Sequence, residues 1–184
     1  MTAYAEGDQH AFSRLFGQLA PRIHGFFHRS FRDSAVCSDL LQDTFLRVHK
    51  ARRTYRAGLP LRPWVFAIAA RIRQDELRRR YRLREDAGEE ALALAEEAQS
   101  IERAQDTERD RFVGDLTERL RAALDRLPES QRVVIHLHRY EGMTLAQIAA
   151  VLGTSEVSVR GRAFRAYVQL RKQLHHLFNG GDEP

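Results

Sequence analysis

The stretch TLAQIAAVLGTSEVSVRGRAFRA, residues 144–166, decides the fold because it predicts two short helices joined by a tight turn. Thr144 opens the first helix, and Gln147 three residues later completes a capping-box pattern. Gly153 is expected to end that helix, since glycine adopts a positive φ without a Cβ clash. Ser155 is then the expected N-cap of the second helix.

The spacing of small residues indicates that the two helices cross as a helix-turn-helix. Ala149 lies four residues before Gly153, where a steep crossing needs a small side chain, and Val159 lies six residues after it. The outward positions of the second helix carry Ser158, Arg160, Arg162, Phe164 and Arg165. Guanidinium groups on such a helix favour a reader of the DNA major groove over a helical hairpin with a solvated basic face.

Composition limits the classes of protein that remain. The chain has 184 residues, a net charge of +5 and 43% hydrophobic residues, so it can bury cores and favours polyanionic partners. Its one cysteine excludes an internal disulfide and a cysteine-based zinc cluster. The N-terminal residues lack the pattern of a secretion signal, and no long uncharged apolar run follows. We therefore expect a cytoplasmic protein that does not insert into membranes.

Two helices are predicted in the first fifty residues. An aromatic-rich apolar stripe begins near residue 11, is expected to be interrupted at Pro21, and continues on a second segment to about residue 31. Asp33 and Ser34 then offer the start of another helix, whose N-terminal half carries Asp39, Gln42, Asp43 and Thr44. These polar residues are either surface positions favoured by the helix dipole or a docking face.

A further helix is predicted from Pro63, after a loop rich in glycine and proline. Trp64 lies at its start, and the rest of the helix carries arginines at positions 71, 73, 78, 79, 80, 82 and 84. An aromatic beside an arginine-rich helix suits single-stranded nucleic acid, because bases stack on the ring while arginine follows the phosphates. The alternative is a core tryptophan beside a solvated basic helix.

The charge reverses between residues 85 and 102, where seven acidic residues occur without any lysine or arginine. This stretch is predicted to be a linker. Helical patterning returns near Arg111, with Val133, Val134, Leu137 and Tyr140 expected inside and His136 and His138 expected to be solvated or partly buried. The sequence offers no nucleophile–base pair, phosphate-binding glycine loop or metal cluster, so we expect no enzymatic activity, cofactor or metal.

Three blocks of this sequence, in the same order, resemble the bacterial sigma factors of the extracytoplasmic-function group. SDLLQDTFLRVHKA, residues 38–51, resembles region 2.2, and LRPWVFAIAARIRQDELRRR, residues 61–80, resembles regions 2.3 and 2.4. Residues 124–174 resemble region 4. In that family region 2.2 docks on RNA polymerase, regions 2.3 and 2.4 open and read the −10 element, and region 4 reads the −35 element.

The resemblance implies an all-α chain with two small helical domains joined by a linker. The region 2 domain would span residues 1–84, the acidic linker 85–110, the region 4 domain 111–178 and a tail 179–184. Core RNA polymerase, promoter DNA and an anti-sigma factor are the implied partners. The implied polymerase-binding residues are Asp39, Leu40, Gln42, Asp43 and Phe45. The implied −10 residues are Trp64, Arg71, Asp75, Arg78 and Arg79, and the −35 residues are Ser158, Arg160, Arg162, Phe164 and Arg165.

One alternative of another class remains open from the sequence. A transcription regulator with a terminal helix-turn-helix binds duplex operator DNA without being a polymerase subunit. Such a regulator needs a sensor or phosphoacceptor module, whereas the first ninety residues here are helical in pattern and rich in arginine.

Overall fold

The computed structural model describes residues 2–5, 7–56, 58–87 and 108–178, and these form helices and their connections without a strand. In chain order the helices are α1 (Thr2–Ala5), α2 (Gln9–Phe31), α3 (Ser34–Ala51), α4 (Leu61–Ala87), α5 (Glu108–Asp125), α6 (Glu129–Ile135), α7 (Leu145–Leu152) and α8 (Glu156–Phe178). A 3₁₀ turn over Arg52–Thr54 follows α3, and a π-helical turn over His136–Tyr140 extends α6. The all-α prediction is confirmed.

Most of the predicted linker, residues 88–107, lies outside the described residues, and so does the predicted tail. The described chain divides at this gap into an N-terminal module of α1–α4 and a C-terminal module of α5–α8. The predicted domain boundaries at residues 84 and 111 stay predictions. In the structure α4 continues to Ala87 and α5 begins at Glu108.

The predicted interruption at Pro21 is wrong, because α2 runs through this residue. A proline inside a helix loses one hydrogen bond and crowds the carbonyl four residues earlier, here that of Gly17, at a cost of about 3 kcal/mol. The apolar stripe on both sides of Pro21 is buried in one core, and it consists of Leu15, Leu19, Ile23, Phe26 and Phe27. Burial of each such side chain contributes about 1.5–3 kcal/mol, so packing outweighs the local cost.

Helix starts follow the sequence signals closely. The Asp33 side chain caps α3 by accepting from the backbone N–H groups of Ala35 and Val36 at 2.9 and 3.2 Å. Pro63 falls in the first turn of α4, where its missing N–H costs nothing. The inward faces of α3 and α4 include the buried residues Val48, Val65, Ala69 and Ile72. These two helices and α2 pack together as the N-terminal module.

The two modules share one continuous apolar core, which the sequence did not predict. Helix α7 packs directly on α4, and α7 in turn packs on α8. Val134, Leu137 and Ile148 of the C-terminal module belong to the same buried cluster as Phe26 and Phe66 of the N-terminal module. A separate small cluster of Ala123, Leu127, Ile135, Ala166 and Leu170 lies within the C-terminal module.

The π-helical turn corrects two predictions about α6 and its extension. Tyr140 was expected inside but is 43% exposed, and His136 was expected to be solvated or partly buried but is only 4% exposed. A π turn holds one more residue than an α turn, so it rotates the positions that follow it. The His136 ring, at the start of this turn, lies 5.2 Å from the Phe26 ring of the other module and stacks on Tyr140.

Candidate nucleic-acid interface

The helix-turn-helix forms as its sequence predicts. The backbone N–H of Thr144 donates to Gln147 Oε1 at 3.0 Å, and the N–H of Gln147 donates to Thr144 Oγ1 at 3.2 Å. Gly153 ends α7 with φ of +62°, and Ser155 Oγ accepts from the Ser158 N–H at 3.2 Å. These caps fix the angle at which α8 leaves the turn.

Helix α8 presents a charged and apolar face to solvent, opposite its buried row of Val159, Ala163 and Ala166. Of the five predicted −35 residues, Arg160, Phe164 and Arg165 are exposed, while Ser158 and Arg162 are half-buried. Arg160 pairs with Glu156 one turn earlier at 3.0 Å. An exposed pair of this kind is weak, so Arg160 remains free to exchange its partner for a phosphate or a base.

Two apolar residues on the same face were missed by the sequence analysis. Val157 is 79% exposed and Val168 is 53% exposed, and they lie seven residues before and four residues after Phe164 on the same helix. The signal was present, because positions 157, 161, 164 and 168 recur at intervals of three and four. Apolar side chains on a recognition helix are suited to contact the methyl groups of thymine.

The start of α4 combines an aromatic pair with exposed polar residues. Trp64 is half-buried, and its ring meets that of Tyr55 edge-on at 5.3 Å between centroids. Arg71, Asp75 and Arg78 are exposed on the helix that follows. Trp64 is therefore partly a core residue and partly accessible, and Tyr55 is an aromatic neighbour that the sequence analysis did not select.

Arg79 differs from the other predicted −10 residues because it is held by a neighbour. Its Nε and Nη2 atoms donate to the two carboxylate oxygens of Glu76 at 2.7 and 2.9 Å, and Arg80 adds a third bond to Glu76. The hydrogen bonds from Arg79 are the main reason that the pKa of Glu76 is lowered. Glu76 thus stays ionised and fixes the position of both arginines.

The polar face of α3 is accessible except at two of the residues singled out in the sequence, Thr44 and Phe45, and Thr44 is fully buried with its hydroxyl donating to the Leu40 carbonyl at 2.7 Å. Asp39 and Gln42 are exposed, Leu40 is half-buried, and Asp43 pairs with Arg47 at 2.9 Å. The Phe45 side chain is only 5% exposed and packs 4.6 Å from the Phe16 ring between centroids. Phe45 therefore supports this face from beneath and offers no surface to a partner. Leu46, 52% exposed and overlooked in the sequence, lies on the accessible face instead.

Arg73 was grouped with the surface arginines of α4, and the structure corrects this. Its side chain is 7% exposed, forms an ion pair with Glu129 of the other module, and donates from Nε to Ser30 Oγ at 2.8 Å. Burial and nearby Arg132 lower the pKa of Arg73 to about 10, so it remains charged at neutral pH. A helical pattern of apolar residues cannot reveal such a residue, because its partner lies in another part of the chain.

No group of three His, Cys, Asp or Glu side chains among the described residues is arranged to hold a metal ion. None of the described helices combines the length and the apolar character needed to cross a membrane.

Comparison with known families agrees with this arrangement of surfaces. The family model "Sigma-70 region 2" matches residues 15–83, and "Sigma-70, region 4" matches residues 117–170. The RNA polymerase sigma factor CarQ of Myxococcus xanthus is 34% identical over 182 residues, which cover 96% of this chain and 97% of CarQ. The chain belongs to the sigma-70 family of RNA polymerase sigma factors. The sigma factor is also 27% identical over 180 residues to the ECF sigma factor SigM of Mycobacterium tuberculosis, covering 98% of this chain and 85% of SigM.

Solved structures show the same fold. The sigma factor RpoE of Bartonella quintana, solved in complex with the anti-sigma factor NepR, matches with a TM-score of 0.70 and 23% identity. That match covers 90% of this chain and 97% of RpoE. CnrH, solved in complex with the cytosolic domain of CnrY, matches with a TM-score of 0.64 and 23% identity over 98% of this chain and 96% of CnrH.

Family membership decides between the alternatives left open by the sequence. Region 2 occupies the positions where an operator-binding regulator would carry its sensor, so that alternative is not favoured. Sigma factors of the extracytoplasmic-function group are transcription initiation factors and not enzymes. This sigma factor binds core RNA polymerase and directs promoter-specific initiation.

Proposed function

We propose that this sigma factor divides initiation among three separate faces. The exposed side of α3, formed by Asp39, Leu40, Gln42, Asp43 and Leu46, docks on core polymerase. The start of α4, with Trp64 and the exposed Arg71, Asp75 and Arg78, together with Arg79, receives the −10 element. The exposed side of α8, with Ser158, Arg160, Arg162, Phe164 and Arg165, enters the major groove of the −35 element.

One observation carries this proposal: all three faces are accessible on one chain, and each coincides with a matched sigma region. The acidic and amide groups of α3 suit a basic protein surface, whereas the arginines of α8 suit DNA. At the −10 element each unstacked base step costs a few kcal/mol, so a site for an extruded base offsets part of that cost. The half-accessible pair of Trp64 and Tyr55 supports such a site, since aromatic rings stack on unpaired bases.

A second partner and a location follow from the relatives. RpoE and CnrH were solved with an anti-sigma factor and with the cytosolic domain of CnrY, respectively. We infer that an anti-sigma factor also controls this chain, and that the chain works in the cytoplasm, where core polymerase acts.

The test separates polymerase docking from promoter reading. The double substitution Gln42→Ala/Asp43→Ala should weaken binding to core polymerase of the same bacterium about ten-fold, while affinity for duplex −35 DNA stays unchanged. Arg160→Ala with Arg165→Ala should leave polymerase binding intact and lower run-off transcription from a cognate promoter. Gln18→Ala, at an exposed glutamine on α2, is the matched control for the first pair. Tight polymerase binding by the Gln42 and Asp43 variant would show that the docking face is elsewhere.

A further inference from the structure

One carboxylate on α4 binds two neighbouring arginines. Glu76 Oε2 accepts from Arg79 Nε at 2.7 Å, and Glu76 Oε1 accepts from Arg79 Nη2 and from Arg80 Nε, both at 2.9 Å. The arginines lie three and four residues after Glu76, the two spacings at which side chains meet on a helix. The side chain of Glu76 is 9% exposed, whereas that of Arg79 is 61% exposed. The carboxylate is therefore buried beneath a guanidinium that faces solvent.

Arg80 connects Glu76 to the core of the N-terminal module. Its guanidinium lies 4.8 Å from the centroid of the ring of Phe31, a buried residue at the end of α2. A cation over an aromatic face is attracted by the ring quadrupole. Arg80 is thus fixed by the ring on one side and holds the Glu76 carboxylate on the other. Arg79 consequently rests on a support that is anchored in the core.

The contact with Glu76 uses one edge of the Arg79 guanidinium and leaves another edge free. A guanidinium has five N–H donors, and Nε and Nη2 each give one of them to Glu76, so three remain. Two of these are on Nη1 and one is on Nη2. None of them has an acceptor in the part of the chain that the structure describes. Adjacent N–H groups on Nη1 and Nη2 can bind two acceptors side by side.

The place of this free edge on α4 suits the −10 element. Arg79 lies four residues beyond Asp75 and eight beyond Arg71, on the same side of the helix, and both of those residues are exposed. A flexible side chain loses conformational entropy when it becomes ordered in an interface. Arg79 has already lost part of that freedom to Glu76, so less is lost on contact with DNA.

Charge favours a base edge over a phosphate as the acceptor of the remaining donors. A phosphate is attracted mainly by opposite charge, and the carboxylate at 2.7 and 2.9 Å from the Arg79 nitrogens reduces that attraction. A base edge carries no net charge and depends on the direction of the donors, which Glu76 fixes. Guanine presents O6 and N7 side by side, and an arginine that donates to both is the commonest specific contact with DNA bases.

We propose that Glu76 is a positioning residue for promoter specificity, because it directs the free edge of Arg79 at O6 and N7 of one guanine in the −10 element. The inference rests on the proposed function, in which α4 receives that element. Arg79 is the residue that touches DNA, and Glu76 acts through it. Arg80 supports Glu76 and needs no contact with DNA.

Base preference at the −10 element is measured with holoenzyme formed from core polymerase of the same bacterium and the full-length chain. The templates are a pool in which each position of the −10 element of a cognate promoter carries each of the four bases. A barcode in the transcribed region identifies each template when the run-off transcripts are counted by sequencing. The parent should prefer guanine at one position. Arg79→Ala should reduce that preference about five-fold or more and leave the other positions unchanged.

Glu76→Gln tests the positioning role. Glutamine keeps the size of the side chain, but its amide nitrogen is a donor and cannot accept from Arg79, so the two-bond contact is lost. The guanine preference should fall at the position that Arg79→Ala affects. The double variant should fall no further than Arg79→Ala alone, because both changes act on one contact. An equal loss of transcription on all templates, or an effect that adds to that of Arg79→Ala, would overturn the positioning role.

Glu76→Asp is a second variant at this position. It keeps a charge beside Arg80 but shortens the side chain by one methylene, so the carboxylate is drawn back from Arg79. Circular dichroism and affinity for core polymerase show that the variant is folded. Its guanine preference should again fall. An unchanged preference would overturn the positioning role, while the −10 face of α4 would stand if Arg79→Ala has its expected effect.

Arg79→Lys distinguishes a base from a phosphate as the partner of Arg79. Lysine keeps the charge but lacks the planar fork, so the guanine preference should be lost as in Arg79→Ala. Retention of the preference would overturn base reading by Arg79. Arg82→Ala, at an exposed arginine of the same helix, is the matched control and should alter no base preference. If Arg79→Ala itself leaves every preference unchanged, the inference is overturned and Arg79 does not belong to the −10 face of the proposed function.

Discussion

Arg22 on α2 donates from Nε to the Glu141 carboxylate at 2.9 Å, although 119 positions separate the two residues in the chain. Arg22 Nη2 also donates to the Tyr140 carbonyl at 3.2 Å. The Glu141 side chain is almost fully buried, and the nearby His136 ring and the hydrogen bond from Arg22 keep its pKa below the ordinary value despite burial. Glu141 is thus charged at neutral pH and depends on the other module for its main partner.

Glu141→Gln should lower the free energy of unfolding by about 2–3 kcal/mol at pH 7.5. The substitution removes the charge that satisfies Arg22, and a charged hydrogen bond lost from a buried site costs more than one lost at the surface. Urea unfolding followed by circular dichroism measures the change. Glu156→Gln provides the control: its pair with Arg160 is exposed, so its effect should stay below about 0.5 kcal/mol. Equal effects of the two substitutions would contradict a buried role for Glu141.

Local features of this fold could be predicted from the sequence, whereas the module contact could not. The capping box at Thr144 and the turn at Gly153 involve residues within a few positions of each other, so spacing alone specifies them. Arg73 was expected among the surface arginines of α4, and nothing in the sequence pattern distinguished Glu141. Their burial depends on the packing of segments far apart in the chain, and no periodicity within one helix records that. The predicted helix interruption at Pro21 was wrong for a related reason, because burial of the neighbouring apolar side chains outweighed the local effect of the proline.

Acidification should weaken the contact between the modules through His136. Burial is the main cause that lowers the pKa of this imidazole, and nearby Arg29 and Arg73 lower it further, while Glu141 opposes them. In the unfolded or separated chain the pKa of His136 is near the ordinary value of 6.5, whereas in the packed chain it is lower. The contribution of neutral His136 to the stability of the contact is therefore fully present above about pH 6.5. It is lost as the pH falls from there towards the pKa of His136 in the packed chain.

Energy transfer between fluorescent dyes attached at Gln18→Cys on α2 and Lys172→Cys on α8, both exposed positions, measures this effect at pH 7.5 and pH 5.5. The parent should show lower transfer at pH 5.5, and His136→Gln should show a smaller difference between the two conditions. His28, whose pKa is also lowered mainly by burial, accounts for part of any pH dependence that remains. Protonation of Glu141 contributes only at still lower pH, because its pKa lies below the ordinary carboxyl value. An identical pH response in parent and variant would exclude His136 as the responsible group.

Two glycines of the helix-turn-helix should respond to alanine in opposite directions. Gly161 lies inside α8, where an added Cβ would meet only the end of the Arg165 side chain at 3.5 Å. Gly161→Ala should therefore stabilise the helix by about 0.5–1 kcal/mol. Gly153 has φ of +62°, so Gly153→Ala should cost about 1–2 kcal/mol. Thermal unfolding of both variants measures the signs, and stabilisation by Gly153→Ala would contradict the left-handed turn.

The role of Arg160 in promoter reading can be resolved by combining base substitutions with salt. If its guanidinium binds a guanine edge in bidentate fashion, Arg160→Ala should cost about 1–3 kcal/mol and relax preference at one position of the −35 element. If it binds only a phosphate, affinity should fall equally on all sequences, and the salt slope should shrink by about one unit. We expect the first result, because Arg160 is exposed beside Phe164 on the face of α8 that is proposed to enter the major groove. Arg171→Ala, at an exposed arginine further along α8, is the matched control and should alter no base preference. Titration of duplex −35 DNA with holoenzyme at several salt concentrations distinguishes the two cases, and unaltered affinity of Arg160→Ala on every sequence would remove Arg160 from the recognition face.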